Sequence, residues 1–144
     1  MNSADAIKAN GLYVNLPVAD LAKSVAFFKA LGFGFNAQFS DDTAACLVLG
    51  ENMCAMLLSH DKFRHFTNLP ISDAFKQVQV LVAVSLNNRA EVDRVFNAVI
   101  ANGGKAFRAT EDLGFMYTRS FTDLDGHAWE PFYMDISAFP GAGG

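Results

Sequence analysis

Leu12-Tyr-Val-Asn-Leu-Pro-Val-Ala-Asp-Leu21, running into the helical pattern Ala22–Gly32, is echoed by Val80-Leu-Val-Ala-Val-Ser-Leu-Asn-Asn-Arg89, running into Ala90–Gly103. Each stretch reads as an apolar strand, a short polar turn, an amphipathic helix and a glycine stop. In the first, Leu12, Val14, Leu16 and Val18 share one strand face, with Tyr13, Asn15 and Pro17 opposite. Asp20 suits the N-cap. Val25, Phe27, Phe28 and Leu31 supply the inner helix stripe, Lys23 and Ser24 the wet outer face, and Gly32 the stop. In the second, Val80, Val82, Val84 and Leu86 oppose Gln79, Leu81, Ala83 and Ser85 within a strand read as 78–86. Asn87 or Asn88 caps a helix with the stripe Val92, Val95, Phe96, Val99 and Ile100.

Three strand-like runs follow each helix. After the first come Phe33–Phe39, Ala44–Leu49 and Met53–Ser59, joined by turns at Asp41-Asp42 and Gly50-Glu-Asn52. After the second come Lys105–Ala109, Phe115–Thr122 and His127–Asp135, the last two joined by Asp123-Leu-Asp-Gly126. The expected fold is therefore α+β: two tandem β-α-β-β-β units, about 11–59 and 77–136, forming a curved mixed sheet around a cleft in one domain, 1–144. The connecting segment 60–76 carries Lys62, Phe63, Arg64, His65 and Phe66. Its length suits either a lid over a binding site or a linker with a short helix covering one end of the sheet.

The 144 residues suffice for a real core, and half are apolar. A formal charge of -4 argues against nucleic acid or an anionic membrane as partner. Nothing in the sequence reaches the ~20 apolar residues of a membrane span, and the expectation is a cytoplasmic protein. Cys46 and Cys54, the two cysteines, lie in apolar runs and are expected to be buried free thiols. The closing Gly141-Ala-Gly-Gly144 is expected to fray.

Asn15-Leu-Pro-Val-Ala-Asp-Leu-Ala-Lys-Ser-Val-Ala-Phe-Phe-Lys-Ala-Leu-Gly-Phe33 resembles the opening of the vicinal-oxygen-chelate superfamily, which contains glyoxalases, bleomycin-resistance proteins, fosfomycin-resistance enzymes and extradiol dioxygenases. Asp123-Leu-Asp-Gly-His-Ala-Trp-Glu130 resembles its closing motif, and the likeness is greatest to the small bacterial glyoxalase-like branch. Metal-dependent members hold a divalent ion with four cleft residues, two from the first strands and two from the last strands of the units. The ion then serves as a Lewis acid. Carried over, those positions fall on Tyr13, Leu81, Met56 and Glu130.

Leucine has no donor, tyrosine is an uncommon ligand, and one carboxylate does not hold a transition metal against water. The resemblance thus implies a cleft without a resident cofactor, although a divalent metal held by His60 or His65 stays open. His127 has the opposite strand parity to Glu130 and is expected to face away. The cleft would bind a small hydrophobic or amphipathic molecule through Tyr13, Asn15, Met56, Leu81 and Phe132. The alternative is a lactoylglutathione-lyase-like enzyme in which Glu130, its pKa raised among apolar neighbours, transfers a proton. Members of the superfamily often pair, so a homodimer is expected.

Overall fold

The computed structural model describes residues 3–138; the glycine-rich 141–144 lies outside the described residues. Strand β1, Leu12–Val18, leads into helix α1, Leu21–Ala30. Asp20 caps that helix by accepting a hydrogen bond from the Lys23 N–H at 3.1 Å, and Gly32 closes it at φ +105°. Strands β2 (Gly34–Asn36), β3 (Ala44–Gly50) and β4 (Met53–Ser59) complete the first unit in the order β1-β4-β3-β2. The β1–β4 pair is parallel and the rest antiparallel.

Helix α2, His60–Arg64, opens the connecting segment. The second unit contains β5 (Leu81–Ser85), α3 (Arg89–Ala101), β6 (Lys105–Ala106), β7 (Glu111–Asp112), β8 (Met116–Thr118), β9 (Phe121–Thr122) and β10 (Ala128–Met134). Here β5 pairs parallel with one side of β10, while β9 and β8 pair antiparallel with successive parts of its other side. Asn88 caps α3, its side chain accepting from the Glu91 N–H, and the Glu91 carboxylate reaches back to the Asn87 N–H. The two units repeat the same parallel first-to-last pairing, and their sheets curl as the duplicated pattern implies.

One core spans both units. Leu16, Val18, Leu47, Ala55 and Leu57 meet Phe27, Phe28 and Leu31 of α1, and all are buried. The same cluster continues into Val95, Val99, Phe121 and Trp129 of the second unit. The Phe28 and Trp129 ring centroids lie 5.2 Å apart, and Trp129 stacks on Phe121 at 6.3 Å. The faces carrying Tyr13 and Asn15 in one unit, and Leu81 and Ala83 in the other, point away from this core and are exposed.

Several expectations are corrected. Ser24, read as an outer-face residue, is 3% exposed because its hydroxyl turns inward to an aspartate of the second unit. The run Phe33–Phe39 is a strand only to Asn36; Asn36 then caps a 3-10 turn over Ala37–Phe39, leaving Phe39 exposed. Residues 78–80 are not strand, and β5 begins at Leu81, where β10 supplies its partner Ala128. Phe115–Thr122 divides into β8 and β9, and β7 pairs with β8 as an added edge. Ile100 at the end of the α3 stripe is 51% exposed. Cys54 is only partly buried, in contrast to Cys46.

Candidate functional site at the seam between the units

Among the described residues, β1 pairs only with β4 and β5 only with β10, so an unpaired edge of each unit faces the seam. The units are joined there by side chains of the Asp123-Leu-Asp-Gly126 turn. The Asp125 carboxylate accepts from the Ala19 N–H at 2.8 Å and from the Ser24 hydroxyl at 3.2 Å. Asp123, 4% exposed, accepts from the backbone N–H groups of Asp125 and His127 and from the Trp129 indole N–H at 2.9 Å. Burial is the dominant influence on the Asp123 carboxyl and raises its pKa; the neighbouring His127 charge and the Trp129 bond oppose it. The aspartates that resemble a family motif therefore build the joint between the halves, with all their donors in place.

Above this joint lies a mainly apolar cavity of about 310 Å³. Leu16 and Pro17 of β1 form one wall, Val80, Val82 and Ala128 the other, and the connecting segment supplies the roof with Phe63, Leu69 and Ile71 among others. Segment 60–76 thus carries the expected short helix and lines one side of this cavity. Gly126 allows the segment to settle. Its φ is +84°, and a Cβ there would lie 2.9 Å from the Phe75 backbone nitrogen and 3.0 Å from the Ala74 carbonyl carbon. A second, adjoining concavity of about 450 Å³ shares Pro17, Ile71 and His127 and adds His60 and Arg64. Further along the seam, Val14, Leu49 and Cys54 face Val82, Val84 and Ser85 across a smaller gap of about 170 Å³.

His127 is the imidazole common to the two larger spaces. Its Nε2 lies 2.7 Å from the Pro17 carbonyl oxygen, which can only accept, so Nε2 carries the proton and donates. In the neutral ring Nδ1 is then an acceptor. His127 immediately precedes β10, in the turn that docks on β1, and it does not line the same space as Glu130 in either cavity. The one legible signal was its place directly after the aspartate-glycine turn.

The site residues expected from sequence fall into two groups. Tyr13 lies beside Cys54 and Asn15 beside Met56 in the β1–β4 register. Leu81 lies beside Ala128, Glu130 beside Ala83, and Phe132 beside Ser85 in the β5–β10 register. Each group shares one sheet face as parity demands, but none of the six lines either of the larger seam cavities. Tyr13 is 55% and Leu81 46% exposed. Among the described residues, no three His, Cys, Asp or Glu side chains come together as a candidate metal set. His60 lines the second cavity and His65 is exposed at the end of α2. The donors present therefore do not fit the four-ligand family site.

Residues 12–50 match the family model described as bleomycin resistance protein-like N-terminal. Among solved structures, the chain is similar to a hypothetical protein of S. aureus, at 27% identity over 88% of this chain and 95% of that one, with a TM-score of 0.74. It is also similar to a glyoxalase-related enzyme from Fulvimarina pelagi (16% identity, 86% and 87% covered, TM-score 0.72). A glyoxalase/bleomycin resistance protein/dioxygenase from Nocardioides gives 22% identity, 94% and 89% coverage and a TM-score of 0.67. A search of curated protein sequences gives no match. Residues 12–50 thus match a bleomycin resistance protein-like N-terminal family model, and along most of its length the chain shares the glyoxalase-like fold of these structures.

Proposed function

We propose that the protein binds a small hydrophobic or amphipathic molecule in the seam cavity and does so without the family metal. The observation that carries this reading is the cavity itself: about 310 Å³, walled by aliphatic side chains from both units, with His127 as its imidazole. That size and composition match ordinary small-molecule sites, where an apolar lining supplies affinity and a few polar groups fix orientation. His127, held in one tautomer by Pro17, offers Nδ1 to a ligand hydroxyl or amide. The alternative, a glyoxalase-like proton transfer by Glu130, has less support, because that residue, on the sheet face turned away from the core, is not among those lining this cavity. A homodimer belongs to the proposal: Tyr13 and Leu81 leave apolar surface uncovered on the open faces of the units.

Thermal-shift screening against a panel of apolar and amphipathic compounds tests the reading. At least one compound stabilises the protein, and Val80→Arg, which puts a charge at the partly open cavity wall, abolishes that shift while leaving the unliganded melting temperature close to native. An empty screen across diverse chemotypes refutes the binding reading. Stoichiometric nickel or manganese, with hemithioacetal turnover lost in Glu130→Gln, establishes the enzyme reading in its place.

A further inference from the structure

Three sulfur side chains share the open face of the first unit, on the side of β3 and β4 opposite the aromatic core. Cys46 and Met56 are direct cross-strand partners, and Cys54 stands one pair further along on the same face, beside Val48. Cys46 is 1% exposed, whereas Cys54 is partly open and lines the 170 Å³ gap at the seam. We infer that Cys46 and Cys54, backed by the Met56 thioether, form a binding site for a soft monovalent cation of the copper(I) class. The inference is independent of the ligand proposed for the larger cavity.

The chemistry follows from the donors and their setting. Two thiolates and a thioether suit a soft ion, whereas hard divalent ions need oxygen donors and a zinc site needs four strong ligands, two more than the cysteines supply. Two sulfurs suffice for a copper(I)-class ion, which accepts near-linear coordination, so no third His, Cys, Asp or Glu is required. Binding displaces both thiol protons to solvent and forms two metal–sulfur bonds, with no change in oxidation state. Burial first, then the neighbouring Cys54, raises the Cys46 pKa and keeps that thiol protonated in the free protein, while the Asn36 backbone amide draws it down and would support the thiolate once formed. Across the β3–β4 ladder the two thiols are close enough to hydrogen-bond each other while remaining unbridged. The partly exposed Cys54 provides the entry point for the ion.

Titration of the reduced protein with copper(I) in competition with a chromophoric chelator, and with silver(I) as an analogue, tests the site. The expected result is one equivalent withheld from the chelator, with a thiolate-to-metal band in the ultraviolet. Cys54→Ser and Cys46→Ala each remove that equivalent, circular dichroism verifying that each variant is folded, and Met56→Leu weakens it without removing it. No withheld equivalent in the native protein, or one that persists in both cysteine variants, overturns the inference. Nickel or manganese binding in the cysteine variants would bear on the family metal site alone, so the two proposals fail separately.

Discussion

Replacing Gly126 by alanine isolates the contact that seats the roof on the seam cavity, and Gly114 supplies an internal control. Both glycines have φ +84°, a conformation that costs an L-residue about 1–2 kcal/mol. Part of that is offset because alanine also restricts the unfolded chain, by about 0.4–1 kcal/mol. Around Gly114 an added Cβ meets nothing within 4 Å, so Gly114→Ala should cost only the remainder, about 1 kcal/mol. At Gly126 the same Cβ meets the Phe75 nitrogen at 2.9 Å and the Ala74 carbonyl carbon at 3.0 Å. A backbone cannot swing aside as a side-chain end can, so segment 60–76 must shift, an overpacking cost of about 1–3 kcal/mol beyond the control. A domain of ordinary stability, about 5–15 kcal/mol, stays folded under that load. Urea denaturation measures both changes. Trypsin cleavage within the segment, which holds Lys62, Arg64 and Lys76, reports the roof directly. Gly126→Ala should lose more stability than Gly114→Ala, speed cleavage in 60–76, and weaken binding of any compound found for the seam cavity. Equal losses for the two variants, with unchanged cleavage, would refute the idea that this glycine seats the roof.

Asp125→Ala removes the acceptor for Ala19 and Ser24 and should destabilise the fold by about 2–4 kcal/mol, while Ser24→Ala costs about 1 kcal/mol; a denaturant double-mutant cycle should show clear coupling, and strict additivity would refute the joint. The Arg89–Asp112 pair gives an acid-side prediction. Its hydrogen bonds from Arg89, and then from the Gly114 N–H, lower the Asp112 pKa from 3.8 to about 2. A lowered folded-state value stabilises above the unfolded pKa, and that contribution is lost as pH falls through about 2. Asp112→Asn should therefore flatten the stability profile between about pH 4 and 2, measured by chemical denaturation; an unchanged slope would refute the assignment. Asp123 has the opposite sign: its raised value favours the folded state at low pH, and that gain fades as pH rises through the folded-state pKa.

Much of each unit was legible residue by residue. The alternation of Leu12–Val18, the Asp20 and Asn88 caps and the Gly32 and Gly103 stops are local, and local backbone physics determines them wherever the segment ends up. Parity also assigned Tyr13, Asn15 and Met56 to one face and Leu81, Glu130 and Phe132 to another. The errors occurred where a partner far away in sequence decides. The helix pattern alone leaves Ser24 on a wet face, and only Asp125, 101 positions later, turns it inward. Residues 78–80 carry strand-forming side chains, yet β10 offers them no registered partner.

The sequence by itself thus determined the duplicated β-α-β-β-β units and the face on which each side chain lies, because strand and helix periods are properties of neighbouring residues. Only the tertiary structure decided that Phe28 meets Trp129 in a shared core, and that His127, in the turn before β10, bonds Pro17. It also decided that a cavity opens at the seam beside segment 60–76. A period fixes which way a side chain points but carries no information on which remote surface it meets. The location of a site between two units depends on that second quantity.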